Sequence, residues 1–246
     1  MKNIQNWNPT KYVFKKREIL PTKNTKELNV ASRLMASEVG SFYSEQIPKY
    51  AKGKLIDLGC GKAPFYGFYR DFVEEVFCVD WTNTAHKNPH LDLEWDLSKN
   101  LDFSENQYYD TVILSDVLEH IFNPTNLINE TYRVLKEGGT VIMNVPFYYW
   151  IHESPFDYYR YTHFALKKMF EESGFEIIEI KSLGGIIEVM ADIVAKGSKH
   201  LPMGYFFANF VQKLALFISK RKMGKKLRKH TEFLFPLGFG IVARKS

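Results

Sequence analysis

The 246-residue sequence predicts an α/β fold that is doubly wound, with a mostly parallel sheet of seven strands, an N-terminal helical extension and a helical insert before the last strand. Short apolar runs alternate with helical stretches between Lys54 and about Ile180, a pattern typical of parallel strands joined by crossover helices. The first of these runs turns at once into a glycine-containing loop, as the first strand of such a sheet does. A chain of this length is expected to form one domain with additions.

The predicted segments follow one another along the chain. Residues 1–50 form an extension that is polar and irregular at first and becomes helix-like from about Glu27, where apolar residues recur at helical spacing. Residues 51–182 form the sheet core, residues 183–232 a helical basic insert, and residues 233–246 the last strand of the core. The seven strand candidates are KLIDLG, EEVFCVD, the region of EWDLSKNL, YYDTVILS, GGTVIMNV, FEIIEI and the C-terminal FLFPLGFGIVARKS.

Composition and charge narrow the class of protein. Two cysteines, Cys60 and Cys78, are too few for a disulfide framework and lack the Cys-x-x-Cys spacing of many metal sites, so a reducing cytoplasm is expected. The N-terminal stretch MKNIQNWNPTKYVFKKREIL lacks the apolar run of a signal peptide, which agrees with a cytoplasmic location. Residues 191–230 hold ten lysines or arginines and one acid, so this segment carries +9 and the remainder of the chain −4.

An aspartate precedes the glycine turn in LIDLGCGKAPFY, residues 55–66. Gly59 and Gly61 fit the tight strand-to-helix turn at which open parallel sheets bind ligands. Asp57 would repel a phosphate there but would attract a cationic group, while the glycines permit close approach of the backbone. A ligand with an ammonium and a sulfonium but no phosphate satisfies both features, and S-adenosylmethionine is such a ligand. A plain turn with an incidental acid is the alternative.

Further acids follow at the ends of the next two strand candidates. Asp80 ends VFCVD about 20 residues after the glycines, where an acid can accept hydrogen bonds from both ribose hydroxyls of a nucleoside. Trp81 beside it could flank the adenine, and Asp96, with Leu97 alongside, could accept from the adenine amino group. Each of these residues alone is typical of an ordinary surface, but their order along the chain favours a nucleoside site.

Together these motifs resemble the class I S-adenosylmethionine-dependent methyltransferases, in particular the subgroup that includes ubiquinone-pathway enzymes and many enzymes of bacterial polysaccharide clusters. LIDLGCGKAPFY is similar to the first motif of that family, VDW to its second-strand acid, YYDTVILSDVLEHI to its fourth-strand segment and VLKEGGTVIMNVPF to its fifth-strand region. The resemblance spans roughly residues 54–182 and the last strand. It implies a Rossmann-like sheet, S-adenosylmethionine as cofactor, and Ser115 and Asp116 as further cofactor-binding residues. Ala63 stands where the family usually has a third glycine, and alanine is small enough for us to expect binding.

The segment SDVLEHI has two interpretations. If it is helical, Asp116, Glu119 and His120 fall at i, i+3 and i+4 and lie on one face. With glutamate in place of Asp116, that spacing resembles the metal-binding signature of some related methyltransferases that act on quinone precursors or small RNA ends. The same Glu-His pair is also found in relatives not thought to use metal. A role in the cofactor pocket and in helix capping is therefore favoured, and no metal site is assigned.

The loop after the fifth strand is the candidate acceptor site. Methyl transfer from a sulfonium is an in-line displacement, in which the enzyme positions the acceptor and, for a hydroxyl, removes its proton. Residues 144–166 combine two histidines, several aromatics and a charged pair, and we expect His152 to be the general base and Asp157 and Arg160 to bind hydroxyls or an anionic group. IHESPFDYYRYT also resembles a stretch frequent in methyltransferases of glycan-assembly clusters, which implies a sugar-linked acceptor. A lid held by an Asp157–Arg160 ion pair is the alternative, and Thr162 is predicted to cap the next helix.

The insert contains LPMGYFFANFVQKLALFISK, which Asn209, Gln212 and Lys213 interrupt too often for it to span a membrane. Its apolar residues recur at helical spacing, and KRKMGKKLRKH follows directly. This pattern indicates either an interfacial helix with a basic tail or a core helix with a solvated basic end. Peripheral contact with an anionic membrane through residues 201–230 is one hypothesis, and nucleic acid is not an expected partner.

The leading hypothesis is a cytoplasmic S-adenosylmethionine-dependent methyltransferase that O-methylates a sugar or lipid-linked glycan precursor in polysaccharide biosynthesis, with a quinone-type or other small molecule as the alternative acceptor. A nicotinamide-dependent dehydrogenase is a second class, against which Asp57 and the missing third glycine count. A non-catalytic protein that binds membrane or nucleic acid through its basic segment is a third. The full set of acids argues against that class, because it favours retained cofactor binding.

Overall fold

The computed structural model describes residues 1–81, 88–199 and 201–246. A hairpin of β1 (Tyr12–Lys15) and β2 (Glu18–Pro21) is followed by the long helix α1 (Arg33–Tyr50). The sequence patterns do not predict this hairpin, because its strands are only four residues long. Tyr12 and Ile19 bury their side chains in the same apolar cluster as the inner face of α1, so packing on the helix stabilises the two short strands.

The helix begins a few residues later than the position near Glu27 that the sequence predicts. A 3-10 turn, Val30–Ser32, leads directly into α1. The Asn29 side chain accepts a hydrogen bond from the amide of Ala31 at 2.9 Å and so caps the start of this turn.

The main sheet has seven strands, as predicted. They are β3 (Lys54–Leu58), β4 (Glu75–Asp80), β5 (Leu93–Glu94), β6 (Tyr109–Ser115), β7 (Leu135–Pro146), β8 (Phe175–Leu183) and β9 (Gly238–Lys245). Their order across the sheet is β5-β4-β3-β6-β7-β9-β8. The first five pair in parallel, and β9 runs antiparallel to both of its neighbours. The prediction of an α/β fold with a mostly parallel seven-stranded sheet is therefore confirmed.

Within the described residues, six further helices connect or flank these strands. They are α2 (Tyr66–Tyr69), α3 (Pro124–Val134), α4 (His163–Glu172), α5 (Ile186–Ser198), α6 (Gly204–Ser219) and α7 (Lys222–Thr231). The predicted cap of α4 is confirmed, since Thr162 Oγ1 accepts from the amide of Ala165 at 3.2 Å. Helices α5, α6 and α7 lie in sequence between β8 and β9. Of the helices in the described ranges, none has both the length and the apolar character needed to cross a bilayer.

Two apolar clusters cover the two faces of the sheet. Because neighbouring side chains of a strand point to opposite faces, Leu55 of β3 packs with α1 and α2 while Ile56 packs with α3 and α4. The chain thus winds to both sides of a central pair, β3 and β6. In this topology the crevice for a ligand lies outside the carboxyl ends of the central strands, where the winding changes direction.

Candidate active site

A cleft of about 650 Å³ lies at the carboxyl ends of β3, β4 and β6, and we call it the main cleft. Acids, glycines and aromatic residues from several segments line it. All nine residues that the sequence predicts for cofactor binding lie on its walls: Asp57, Gly59, Gly61, Asp80, Trp81, Asp96, Leu97, Ser115 and Asp116. The fold therefore brings together residues that are up to 59 positions apart in the chain.

The two glycines of the turn are required for different reasons. Gly59 has a φ of +73°, and a Cβ at this position would approach Val117 Cγ2 to 2.4 Å. Gly61 has a φ of +51° and faces open space, and its amide donates to Asp80 Oδ2 at 2.6 Å. This hydrogen bond joins the turn to the end of β4. A side chain at position 59 would therefore clash with Val117, whereas at position 61 it would meet only the strain of the left-handed conformation.

Ala63, the departure from the three-glycine pattern, also adopts a left-handed conformation, with a φ of +49°. Such a conformation is strained for alanine, so surrounding contacts must hold it. The residue is fully buried, and its carbonyl accepts from Trp7 Nε1 at 3.1 Å and from the amide of Tyr66 at 3.1 Å. The N-terminal extension therefore helps to hold the glycine turn in place.

Asp57 is buried at the end of β3, and Tyr69 of α2 donates a hydrogen bond to its Oδ2 at 3.0 Å. Burial raises the pKa of Asp57 to about 7, and the charge of Asp80 adds to this rise while the hydrogen bond from Tyr69 opposes it. A cationic group in the main cleft beside Asp57 would favour the ionised form. The site thus fits a ligand with an ammonium group better than one with a phosphate.

The predicted nucleoside residues lie further along the main cleft. Asp80 accepts from the amide of Trp81 through Oδ1 at 2.7 Å, and the Trp81 ring lies edge-on to Phe156, with 4.8 Å between ring centroids. Asp96 Oδ1 accepts from both the amide and the hydroxyl of Ser98, at 3.0 and 2.7 Å. Leu97 supplies an almost fully buried apolar wall beside it. Carboxylates and apolar surfaces therefore alternate, as a nucleoside with polar edges and flat faces requires.

Asp116 follows directly on β6, and two side chains contact its carboxylate. Its φ is +54°, Asn144 of β7 donates to its Oδ1 at 2.6 Å, and Lys11 Nζ lies 3.5 Å from its Oδ2. The helical condition for SDVLEHI is not met, because this segment forms only a 3-10 turn over Leu118–His120. Asp116, Glu119 and His120 therefore do not share one helical face, because Asp116 lies outside the turn.

A second cavity of about 120 Å³, the side cavity, adjoins the main cleft. The two share four lining residues: Lys11, Asp116, His120 and Glu153. His152, Tyr149 and Pro146 contribute the wall that follows β7. Since the side cavity lies beyond the ends of β6 and β7, it occupies the region where the sequence predicts the acceptor.

The imidazoles of His120 and His152 meet at a buried glutamate. The Nε2 atoms of the two histidines lie 3.7 and 3.8 Å from Glu119 Oε1. His120 Nδ1 donates to the carbonyl of Phe156 at 2.8 Å, so the Nε2 of a neutral His120 carries a lone pair. Glu119 is fully buried, and neither of its carboxylate oxygens has a hydrogen-bond partner among the described residues.

Burial and nearby ionisable groups shift the protonation equilibria of Glu119 and His152. Burial, together with the charge of Asp116, raises the pKa of Glu119 well above its ordinary value. Burial and the neighbouring His120 lower the pKa of His152 against the attraction of Asp157. A neutral His152 can accept a proton. The same three side chains, Glu119, His120 and His152, could alternatively hold a metal ion, since one ligand atom from each lies within 4.8 Å of the others.

Asp157 and Arg160 line neither cavity. Arg160 Nη1 and Nη2 donate to the two carboxylate oxygens of Asp157 at 2.6 and 2.8 Å, and the Arg160 guanidinium also donates to the carbonyl of Trp150 at 3.0 Å. Burial opposes the charge on Asp157, but the hydrogen bonds from Arg160 and from the amide of His152 lower its pKa to about 2. The two residues thus bind each other and fix the loop that carries His152, as the alternative of a lid held by this ion pair predicts. A role of the pair in binding the acceptor stays a prediction.

Sequence patterns do not reveal the contribution of the N-terminal extension to the site. Lys11 lines both cavities, and Ser32, Met35 and Ala36 line the side cavity. Burial opposes a charge on Lys11, but Tyr12 and Asp116 raise its pKa, so it remains a cation. Its partner Asp116 lies 105 positions away in sequence, and no local motif predicts a contact of that range.

Comparisons with known proteins identify the family. A family model described as a methyltransferase domain matches residues 31–180, more than half of the chain. No curated protein matches in sequence. Many solved structures match in fold. An S-adenosylmethionine-dependent methyltransferase from Archaeoglobus fulgidus is 16% identical with a TM-score of 0.56, covering 87% of this chain and 97% of that one. One from Mesorhizobium loti is 14% identical with a TM-score of 0.51, covering 84% and 99%.

The same fold also supports other reactions, since the [4+2]-cyclase SpnF is 15% identical with a TM-score of 0.54, covering 96% of this chain and 87% of that one. The match of the family model, rather than the likeness in fold, therefore decides the assignment. The chain belongs to the methyltransferase domain family, as an enzyme whose expected cofactor is S-adenosylmethionine.

Proposed function

We propose that the enzyme transfers the methyl group of S-adenosylmethionine to a hydroxyl of a sugar or of a lipid-linked glycan precursor. The observation that carries the proposal is the small polar side cavity, which adjoins the main cleft and contains a neutral imidazole. When bound, the cofactor supplies a methyl group on a sulfonium, which is an electrophile that needs no metal or redox partner. The protein then has to position a nucleophile and remove its proton.

The main cleft is proposed to bind the cofactor. Asp57 would pair with the ammonium group beside the turn at Gly59, and Asp80 would accept hydrogen bonds from the ribose hydroxyls. Trp81 and Asp96 would bind the face and the edge of the adenine. The support is that these residues lie in this order on the walls of one cleft at the ends of successive strands.

The side cavity is proposed to bind the acceptor. His152 would take the proton of the acceptor hydroxyl, and its loop is fixed by the Asp157–Arg160 pair. Lys11 and Tyr149 supply further polar groups to the lining, and such groups suit an acceptor rich in hydroxyls. Exposed aromatic rings at the rim of the main cleft, Phe122, Phe156 and Tyr158, offer faces on which a sugar can stack.

Lipid linkage of the acceptor is part of the same proposal, together with peripheral contact of residues 201–230 with an anionic membrane. An acceptor on a lipid carrier is met only at a bilayer surface. The side cavity is walled in part by Ser32, Met35 and Ala36 at the start of α1, and the insert packs on this same part of α1.

The test is a transfer assay that follows release of S-adenosylhomocysteine with three classes of acceptor: nucleotide sugars, lipid-linked saccharides and catechol-like small molecules. We expect turnover with at least one of the first two classes, with the new methyl group on oxygen, as mass spectrometry and NMR of the product would establish. Asp80→Asn serves as the control for cofactor dependence. Turnover confined to the small aromatic acceptors would contradict the glycan assignment and leave the methyltransferase assignment intact.

A further inference from the structure

Helix α6 has an unusual distribution of side chains for a helix packed on a protein. Its fully buried residues are small or polar, namely Gly204, Ala208, Gln212 and Ala215, while Val211 and Leu216 are half-buried against the core. Six large apolar residues face outward: Phe206, Phe207, Phe210, Leu214, Phe217 and Ile218, which we call the insert face. Phe206 is 71% exposed, and Phe210 and Phe217 are each 55% exposed. A surface helix of a soluble protein normally has the opposite arrangement.

Specific contacts fix this orientation of α6. The Gln212 side chain accepts from the amide of Leu34 at 2.7 Å and donates to the carbonyl of Val30 at 2.6 Å, and it is buried in doing so. A Cβ added to Gly204 would meet the carbonyl oxygen of Ser198 at 1.9 Å, so the start of α6 lies directly against the end of α5. Rotation of the helix to bury its aromatic residues would break the hydrogen bonds of Gln212 and strand its amide.

Basic side chains border the insert face directly. Lys220, Arg221, Lys222, Lys225, Lys226 and Lys229 are all exposed, and we call them the basic stretch. The Arg221 guanidinium lies 4.3 Å from the centroid of the Phe217 ring, so the two surfaces are continuous. Within the described ranges none of the six forms an ion pair, whereas Arg228 of the same helix pairs inward with Glu38 at 2.6 Å. Their charge is therefore available to a partner.

We infer that the insert face and the basic stretch together dock the enzyme on the surface of an anionic lipid bilayer. Exposed aromatic and aliphatic side chains can enter the boundary between headgroups and acyl chains, while lysines and arginines at the same depth meet the anionic headgroups. A second copy of the chain is a poor occupant, because a two-fold interface would set one basic stretch against another. Nucleic acid would use the cations and leave six large apolar residues in water.

The location of this surface has a consequence for catalysis that rests on the proposed function. Gln212 binds Val30 and Leu34, while Ser32, Met35 and Ala36 of the same short segment line the side cavity. The docking surface is thus built on the element that forms one wall of the acceptor site. Membrane attachment would hold that wall close to the plane in which a lipid-linked acceptor diffuses.

Co-sedimentation with vesicles tests the docking independently of any acceptor. One vesicle set contains only phosphatidylcholine, and the other also contains phosphatidylglycerol. We expect the wild-type protein to bind the acidic set at low salt, with binding that falls as salt rises, because exposed charges are screened over roughly 10 Å at moderate ionic strength. No binding to acidic vesicles at low salt overturns the inference.

Two variants separate the electrostatic and the apolar contributions to vesicle binding. The first variant replaces four lysines of the basic stretch with serine: Lys222, Lys225, Lys226 and Lys229. Its matched control has the same net charge and replaces four lysines elsewhere with serine: Lys15, Lys23, Lys99 and Lys168. We expect the first variant to partition at least about tenfold more weakly than the control, since several cations close to an anionic surface are lost. Equal partitioning of the two variants would mean that net charge alone drives binding and would overturn the assignment of this surface.

The second variant replaces Phe206, Phe210 and Phe217 with serine. Because these rings are exposed, its melting temperature and its affinity for S-adenosylhomocysteine should match those of the wild type, while vesicle binding should fall about tenfold or more. Sedimentation velocity of the wild-type protein and of the phenylalanine variant tests whether the insert face instead binds a second copy. A stable dimer that the phenylalanine variant abolishes, with vesicle binding unchanged, would assign the insert face to a second copy and overturn the inference.

Discussion

Binding of S-adenosylhomocysteine should release a proton from Asp57. In the free enzyme burial holds the pKa of this carboxyl at about 7, so at neutral pH it is close to half protonated. The ligand retains the ammonium group of the cofactor, and an ammonium beside Asp57 favours the carboxylate. Binding therefore lowers the pKa of Asp57, and by linkage the affinity must be greatest where the free enzyme has already lost the proton, above about pH 7.

The size of the effect follows from the same pKa. At about pH 5 only about one free molecule in 100 carries an ionised Asp57, whereas at about pH 8 most do. If the complex keeps the carboxylate, the dissociation constant should rise about 100-fold between those two pH values. Tyr43 and Tyr69 face the same carboxylate, but burial raises the pKa of both, so neither titrates in this range. Asp80 is the other charged group that acts on Asp57, and the control variant Asp57→Asn retains it.

Isothermal titration calorimetry of the wild type and Asp57→Asn measures this directly. The variant keeps an acceptor for the Tyr69 hydroxyl and cannot titrate at position 57, while the ligand amine is the same in both experiments. We expect weaker binding by the variant at about pH 8, convergence of the two affinities near about pH 5, and a release of about half a proton at about pH 7 in the wild type only. Parallel pH curves for the two proteins would refute the assignment of the ammonium to Asp57.

Three further predictions concern the site. Asp80→Asn should weaken binding of S-adenosylhomocysteine by roughly 1–3 kcal/mol in calorimetry, because ribose hydroxyls lose an acceptor; an unchanged affinity would remove Asp80 from the site. His152→Ala should lower turnover about 10²-fold with unchanged cofactor affinity, and EDTA should leave the wild-type rate unaltered; a rate lost to EDTA and restored by a divalent ion would make His152 a metal ligand instead of a base. Asp157→Asn should destabilise the fold at neutral pH by about 2–3 kcal/mol. Because folding lowers the pKa of Asp157, this difference should disappear in urea titrations as the pH falls from about 4 to about 2, and a difference independent of pH would contradict the ion-pair role.

Much of the fold and of the main cleft could be predicted from sequence because both depend on local patterns. Most of the parallel strands contain a short apolar run, and Asp57, Asp80 and Ser115 stand at or near the end of one. Parallel strands place their carboxyl ends along one edge of a sheet, so Asp57, Asp80 and Asp116 were expected at the same edge, and all three line the main cleft. No contact between distant segments was needed for that inference.

The side cavity could not be predicted in the same way, because its structure depends on which charged side chains pair with each other. Asp157 and Arg160 have the types of side chain that bind a polar acceptor, but three positions apart in a loop they can also bind each other, and they do. Lys11 lies in a segment with no motif, and only the hairpin brings it to Asp116. In α6 the spacing of the apolar residues correctly predicts a helix, but it does not predict which face of the helix packs on the protein. The buried hydrogen bonds of Gln212 fix that face.

Three of the seven non-glycine residues with positive φ in the described ranges lie at the site. Ala63, Asp116 and Glu153 all have left-handed φ values, between +49° and +54°. Asp116 and Glu153 line both cavities, and Ala63 ends the turn that begins at Gly59. Residues with a Cβ occupy this region only when their surroundings hold them there. At Asp116 the restraint is the hydrogen bond from Asn144, and the result is a carboxylate held where the main cleft meets the side cavity, between the sites proposed for the cofactor and the acceptor.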